Sequence, residues 1–293
     1  MKLDAERRGL LVMLLPYLFG IGALVLLPAV FTLGMSLYEY DLIRPGDFIG
    51  LANFRELARD EVFWIALINS LGFVLVAVPL RLFGALGLGL LLHRRFRGVG
   101  AYRTAAYLPS VVPDMAYVLL WLWILNPLYG PLNLALDALG LPTFGWLATP
   151  NATRAGIVIM SLFTIGEGFL VAMATRQEIP GQLYELSAIE GAGSWHVFRK
   201  VTLPLMAPTL VLLLLRDTIF SLQVTFVPTL VMTEGGPAPY ATTDLPLFIY
   251  RNAFEFLRYG YAAAATVIMF LVTFVIVEIQ SRVIRRWRHA FIV

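Results

Sequence analysis

The sequence predicts an all-α integral membrane protein with six transmembrane helices, both termini in the cytoplasm and a short cytoplasmic helix between the fourth and fifth spans. Three observations predict it. Hydrophobic residues make up 59% and charged residues 14% of the 293 positions, whereas soluble domains run to roughly 45–50% apolar and about 25% charged. Charge-free runs recur along the chain, long enough for the about 20 helical residues that cross the hydrocarbon. Lys and Arg gather on alternate loops, the pattern that sets orientation in a bilayer.

The first span is expected at about residues 10–35. The charge-free stretch from Gly9 to Leu37 outruns the roughly 7–15 residue core of a signal peptide, so it reads as a retained helix. The others are expected at about 65–92, 104–125, 154–175, 207–231 and 261–280, in a single transmembrane domain covering 1–293. Backbone groups in lipid have no water to bond, so each span must be helical. The alternating pattern of a membrane β-barrel is absent.

Fourteen Lys and Arg fall before span one and after spans two, four and six: Lys2, Arg7, Arg8, Arg94, Arg95, Arg97, Arg103, Arg176, Arg199, Lys200, Arg282, Arg285, Arg286 and Arg288. Six lie on the opposite side: Arg44, Arg55, Arg59, Arg154, Arg251 and Arg258. The richer side is the cytoplasm.

Several function classes are excluded. The net charge of +3 is split among short loops, not gathered on one face as nucleic-acid binding requires. Cysteine is absent, and His93, His196 and His289 are far apart, which argues against a metal cluster. No phosphate-binding loop, H-E-x-x-H or G-x-S-x-G occurs. The close glycines of "GALGLGLLL" lie inside span two and read as helix packing. On the outer side, Gly235, Gly236 and Pro237 form a turn cluster.

An ionisable group inside a span costs about 2.5–3.5 kcal/mol on insertion scales and marks a candidate site. Glu167, between Gly166 and Gly168 in span four, is open to two readings: contact with a solute, or pairing with Arg81 or Arg216 on another span. Asp114 in span three, beside Pro109 and Pro113, is either a cap on an interrupted helix or a solute contact. In span five, Thr218, Ser221 and Thr225 share a face, with Gln223 offset and Arg216 and Asp217 pointing apart. Such a stripe is either interhelical glue or the lining for a hydroxyl-rich solute.

The segment "YELSAIEGAGSWHVFRKVTLP" interrupts these apolar runs. Residues 181–191 read as an amphipathic helix with Leu183, Leu186 and Ile189 on one face and Glu185 and Glu190 elsewhere. Gly191 and Gly193 are expected to end it in a left-handed turn. Leu203-Pro204 is expected to impose an extended step before span five. A cytoplasmic helix between two spans is a docking element, and its acidic first half disfavours rest on anionic lipid.

This segment resembles the cytoplasmic motif of binding-protein-dependent ABC importer permeases, in the form found in the carbohydrate class. Leu183-Tyr184-Glu185, Glu190-Gly191-Ala192, Trp195, Phe198 and Leu203-Pro204 occupy the places of that motif, with Leu186-Ser187 where the family carries two alanines. "GLANFRELARDEVFWIALINS", "YLPSVVPDMAYVLLWLWILNPLYGPLN" and "TEGGPAPYATTDLPLFIYRNAFE" are similar to the same class, so the resemblance covers nearly the whole chain.

The resemblance implies a subunit of the bacterial inner membrane that forms half of a sugar pathway. It implies a second related permease, an extracytoplasmic binding protein and two cytoplasmic ATPase subunits, which alone bind ATP and Mg. Glu185, Ala188, Glu190, Gly191, Ala192, Leu203 and Pro204 are then the coupling residues. Glu167, Gln223 and Thr225, with Val224 in the same region, are pathway residues by similarity to maltose-transporter relatives, and Asp114 and Ser221 join them as polar residues inside spans three and five. A proton-coupled secondary transporter using Glu167 and Asp114 is the alternative, but it would not call for the docking segment.

Overall fold

The computed structural model describes residues 2–41, 46–94, 96–223 and 225–291, with side chains described from 9 to 284. Arg44, Arg95 and Val224 lie outside the described residues, as do the side chains of Lys2, Arg7, Arg8, Arg285, Arg286, Arg288 and His289. The chain is mostly helical and divides into two compact units.

One unit comprises Met1–Phe63 and Phe248–Val272. Its apolar helix Gly9–Met35 is long enough to span a membrane and has none of its apolar window buried within the chain. A two-residue antiparallel ladder follows, pairing Tyr38 with Phe48 and Glu39 with Asp47. The Asn53 amide donates to the carbonyls of Ser36 (2.9 Å) and Tyr38 (3.0 Å), tying the ladder to the short helix Ala52–Leu57. Gly260 touches the Tyr38 carbonyl so closely that a Cβ there would overlap the oxygen, which demands glycine. The Tyr261 hydroxyl donates to Asp60 at 2.6 Å, and Arg258 pairs with Glu56 at 2.5 Å.

The other unit comprises Trp64–Leu247 and Thr273–Val293 and holds the helices that frame the site. Among the described residues, and including Gly9–Met35, four helices are long and apolar enough to cross a membrane: Gly9–Met35, Glu61–Leu92, Ser194–Gln223 and Tyr259–Ile284. Two further helix pairs among the described residues are apolar enough only when taken together, and each is bent at a short break. Val99–Val111 and Asp114–Ile124 meet at 103°, and Pro150–Leu162 and Gly166–Glu178 at 45°. Spans three and four are therefore not the continuous helices expected at 104–125 and 154–175. The cause in span three is Pro113, which holds Val112 extended (φ −68°, ψ 132°). No proline marks the break in span four.

Span five also departs from expectation. It begins at Ser194 rather than 207, its helix is described to Gln223, and a separate helix covers Phe226–Thr233. Leu203 is helical (φ −65°, ψ −44°), so Leu203-Pro204 is not an extended step. The reason is a π-helical turn over Phe198–Thr202, where the Leu203 amide reaches back five residues to the Phe198 carbonyl. The wider turn accommodates a proline that would strain a regular helix. The same device precedes Pro28 in span one, where the π turn Gly22–Leu26 ends in a Leu27 amide bonded to the Gly22 carbonyl.

Spans two and four touch through small residues. A Cβ on Gly89 would lie 2.9 Å from the Ala172 Cβ, one on Gly84 3.0 Å from Ile165, and one on Gly168 3.2 Å from the Ala85 Cβ. The "GALGLGLLL" glycines at 84 and 89 are thus contact points between helices. On the loop that follows the helix Phe226–Thr233, Asn69 donates to the carbonyls of Tyr240 and Thr243 (both 2.9 Å), and Arg154 donates to that of Ala241 (2.9 Å). Glu234 (φ 48°) and Gly235 (φ 75°) open that loop in the left-handed region, as its turn cluster requires.

A charged cavity among broken spans

The breaks between Val111 and Asp114 and between Leu162 and Gly166 border one cavity of about 280 Å3, together with Leu213, Arg216, Asp217, Phe220 and Ser221 of span five. Backbone groups freed at a break need new partners in a low-dielectric setting, and the neighbouring break supplies them. The Gly166 amide, first in the second half of span four, donates to the Ser110 hydroxyl at 3.0 Å. The Met160 carbonyl, just before that break, accepts the Tyr117 hydroxyl at 2.6 Å. The Thr164 hydroxyl folds back on the Ser161 carbonyl at 2.9 Å. Each half-helix is thereby anchored to the other broken span, and the void between them stays open.

Five charged side chains line the cavity: Arg81, Asp114, Glu167, Arg216 and Asp217. Successive residues on a helix point about 100° apart, so Arg216 and Asp217 address different neighbours. Asp217 pairs with Arg81 of span two at 3.1 Å, and the Arg81 guanidinium also donates to the Ser221 hydroxyl. Arg216 pairs with Glu167 of span four. Asp114 and Glu167 both stand in the first turn of a half-helix, where the amide dipoles favour a carboxylate.

Of the sequence-predicted pathway residues, Asp114, Glu167, Ser221 and Thr225 line this cavity, and Gln223 does not. Gln223 is exposed at the end of the long helix. Thr218 donates nothing to the cavity wall; it accepts the Gln280 amide at 3.0 Å and joins spans five and six. Asp114 makes no side-chain cap on its own helix. Arg81, Asp217, Ser110 and Tyr117 complete the site and were not singled out as pathway residues. Ser110 could have been found from its place between Pro109 and Pro113, since broken helices need side-chain donors and acceptors.

The segment between spans four and five forms a helix, Gly181–Ile189. It ends at Gly191 (φ 74°), whose amide bonds Ala188 at 3.1 Å while the Ala192 amide bonds Ser187 at 2.9 Å. These are the paired bonds of a Schellman stop. Gly193 is extended (φ −66°, ψ 155°) and starts the next helix, so the left-handed turn is Gly191's alone. Glu185, Ala188, Glu190 and Gly191 are exposed, Ala192 is half-buried, and Leu203 and Pro204 lie half-buried within the span-five helix. Tyr184 holds the segment in place: Arg176 lies 4.0 Å over its ring, and its hydroxyl meets that of Thr202 at 3.1 Å. Tyr184, Phe198 and Leu203 pack on a core of Leu86, Ala172, Ile179, Met206 and Leu210. Burial just after span two draws the His93 imidazole below its ordinary value.

Irregular backbone at membrane depth is tolerated where it lines a cavity, and that arrangement defines the class: a membrane transport protein. The family described as binding-protein-dependent transport system inner membrane component matches residues 85–289, and the chain belongs to it. It is 32% identical over 287 residues to the sulfoquinovosyl glycerol transport system permease protein of Agrobacterium fabrum, covering 97% of this chain and 92% of the relative. The trehalose/maltose transport system permease protein of Thermococcus litoralis is 32% identical over 278 residues, covering 94% and 93%. Among solved structures, the bacterial alginate ABC transporter in complex with a pentasaccharide-bound periplasmic protein matches with a TM-score of 0.85. It is 26% identical, and the match covers 97% of each chain. The chain is a membrane permease component and not itself an enzyme.

Proposed function

We propose that this chain forms half of the pathway of an ATP-driven importer for a sugar or sugar-like solute. The observation that carries the reading is the cavity. Broken spans three and four and the helix of span five converge on it, and spans four and five are joined by the exposed Gly181–Ile189 helix. A cavity of this size bordered by carboxylates, guanidiniums and hydroxyls suits a polyhydroxylated molecule, because charged groups make the stronger hydrogen bonds to hydroxyls. The relative named for trehalose/maltose transport supports this solute class.

In this reading 1–293 acts as one permease domain of six spans, counting each bent pair as one. Both termini are cytoplasmic in the bacterial inner membrane, as the Lys and Arg distribution favours. Asp114, Glu167, Ser221 and Thr225 line the route, and Gln223 stands at its margin. The Gly181–Ile189 helix docks on an ATPase subunit. Its exposed Glu185, Ala188 and Glu190 and its Gly191–Ala192 stop form the contact, and Leu203-Pro204 carries motion into span five without a break in the helix. A second permease, two ATPases binding ATP and Mg, and an extracytoplasmic binding protein complete the machine.

Replacing Glu190 and Gly191 with bulky residues in the reconstituted importer tests the docking role. Gly191 occupies a left-handed conformation that costs an L-residue about 1–2 kcal/mol. Uptake and binding-protein-stimulated ATP hydrolysis are expected to fall by about tenfold, the factor corresponding to 1.4 kcal/mol of lost docking energy. Unchanged uptake and hydrolysis would remove the helix from the coupling path.

A further inference from the structure

The two ion pairs of the cavity differ in what surrounds them. Arg81 and Asp217 are 11% and 24% exposed and share Ser221, so they brace spans two and five from within. Arg216 and Glu167 are 53% and 57% exposed, and both line the void. Arg216 also lies 5.8 Å from the Phe220 ring centroid, which steadies the guanidinium from a second side. Asp114 has no ion-pair partner among the described residues and faces the same space. The wall thus sets three carboxylates against two guanidiniums, with both guanidiniums already engaged.

A solute that enters displaces water from the half-exposed pair, and each charge must then find a replacement partner or lose free energy. A neutral polyol meets this need without parting the ions, since its hydroxyl oxygens accept from Arg216 and its hydroxyl hydrogens donate to Glu167. An anion must instead draw Arg216 away from Glu167 and lie near a wall with a carboxylate in excess. The geometry points to the Glu167–Arg216 pair as the charge filter of this cavity: closed on itself, it passes uncharged, hydroxyl-rich solutes and rejects anionic ones, and Arg216 is an anion site masked by Glu167. This rests on the cavity being the solute pathway.

The test uses the assembled importer purified in detergent without its binding protein, and saturation-transfer NMR with three probes: methyl glucoside, glucosamine and glucuronate. Signal from the cavity is that removed by Thr164→Trp, which fills the void. Wild type is expected to favour methyl glucoside over glucuronate. Glu167→Gln frees Arg216 at nearly constant volume and is expected to raise glucuronate relative to methyl glucoside by about tenfold or more, the factor of one charge-assisted hydrogen bond. Adding Arg216→Gln to that variant is expected to abolish the gain. Preference of wild type for glucuronate overturns the filter whatever the variants do. An unchanged probe order in Glu167→Gln overturns it too and leaves the pathway standing. Failure of all three probes to give a cavity signal removes the pathway and the filter together.

Discussion

At the scale of single residues, Asp244 shows how burial turns an ordinary loop carboxylate into a pH-sensitive contact. It is 4% exposed at the end of the loop before the helix Leu245–Tyr250. One oxygen accepts the Leu247 amide at 2.9 Å and the other the Thr229 hydroxyl at 3.2 Å. With Thr225 these are neutral donors, and burial outweighs them, holding the carboxyl above its ordinary value of 3.8. A carboxyl raised on folding stabilises the native state fully below its unfolded value, and that contribution is lost as pH rises through the folded one. Asp244→Asn keeps an acceptor for Leu247 and carries no charge at any pH. Thermal melts between about pH 4 and about pH 8 should therefore show a shallower decline in Tm for the variant. An equal decline would show that Asp244 is not the titrating group. Nothing in the string "ATTDLP" distinguishes this aspartate from an exposed one; its burial depends on Ser70, whose hydroxyl takes the Leu245 amide at 2.9 Å from 175 positions away.

At the scale of elements, the span two glycines separate what pattern can and cannot say. Gly84, Gly87 and Gly89 read alike in sequence as packing residues. In the fold, a Cβ on Gly89 would lie 2.9 Å from the Ala172 Cβ and 3.0 Å from the Met173 amide nitrogen, whereas one on Gly87 meets nothing within 4 Å. Gly89→Val should destabilise by about 1–3 kcal/mol through overpacking. Gly87→Ala should be neutral or stabilise by up to about 1 kcal/mol by restricting the unfolded chain. Denaturation midpoints of the two variants check the pair, and equal losses would show that the helices can move apart. The breaks follow the same division. Pro113 announces the one in span three, but Phe163–Ile165 carries no breaker, and its unwinding is sustained by Ser110 and Tyr117 on another helix.

At the scale of the whole molecule, Leu186, Ile189 and Trp195 are 57%, 83% and 72% exposed on the segment between spans four and five. Apolar groups displayed beside a structured glycine stop mark an interaction site more often than chance surface. Affinity purification of the tagged chain should recover an ATPase subunit and a second permease. Substitution of Glu190 and Gly191 should lose the ATPase and retain the permease. Recovery of neither partner from wild type would count against the importer assembly.

Composition, charge-free runs and the spread of Lys and Arg determined by themselves that this is a helical membrane protein. The segment between spans four and five carried its family resemblance in local order, because a helix and its glycine stop are built from neighbours. Glu167 was legible as a candidate because a carboxylate inside a span is costly wherever it points. Its partner was not, since Arg81 and Arg216 are equivalent in sequence and only the packing of spans two, four and five assigns Asp217 to the first and Glu167 to the second. The cavity likewise belongs to the tertiary structure, because helices of this kind open only where another helix satisfies the backbone groups they release.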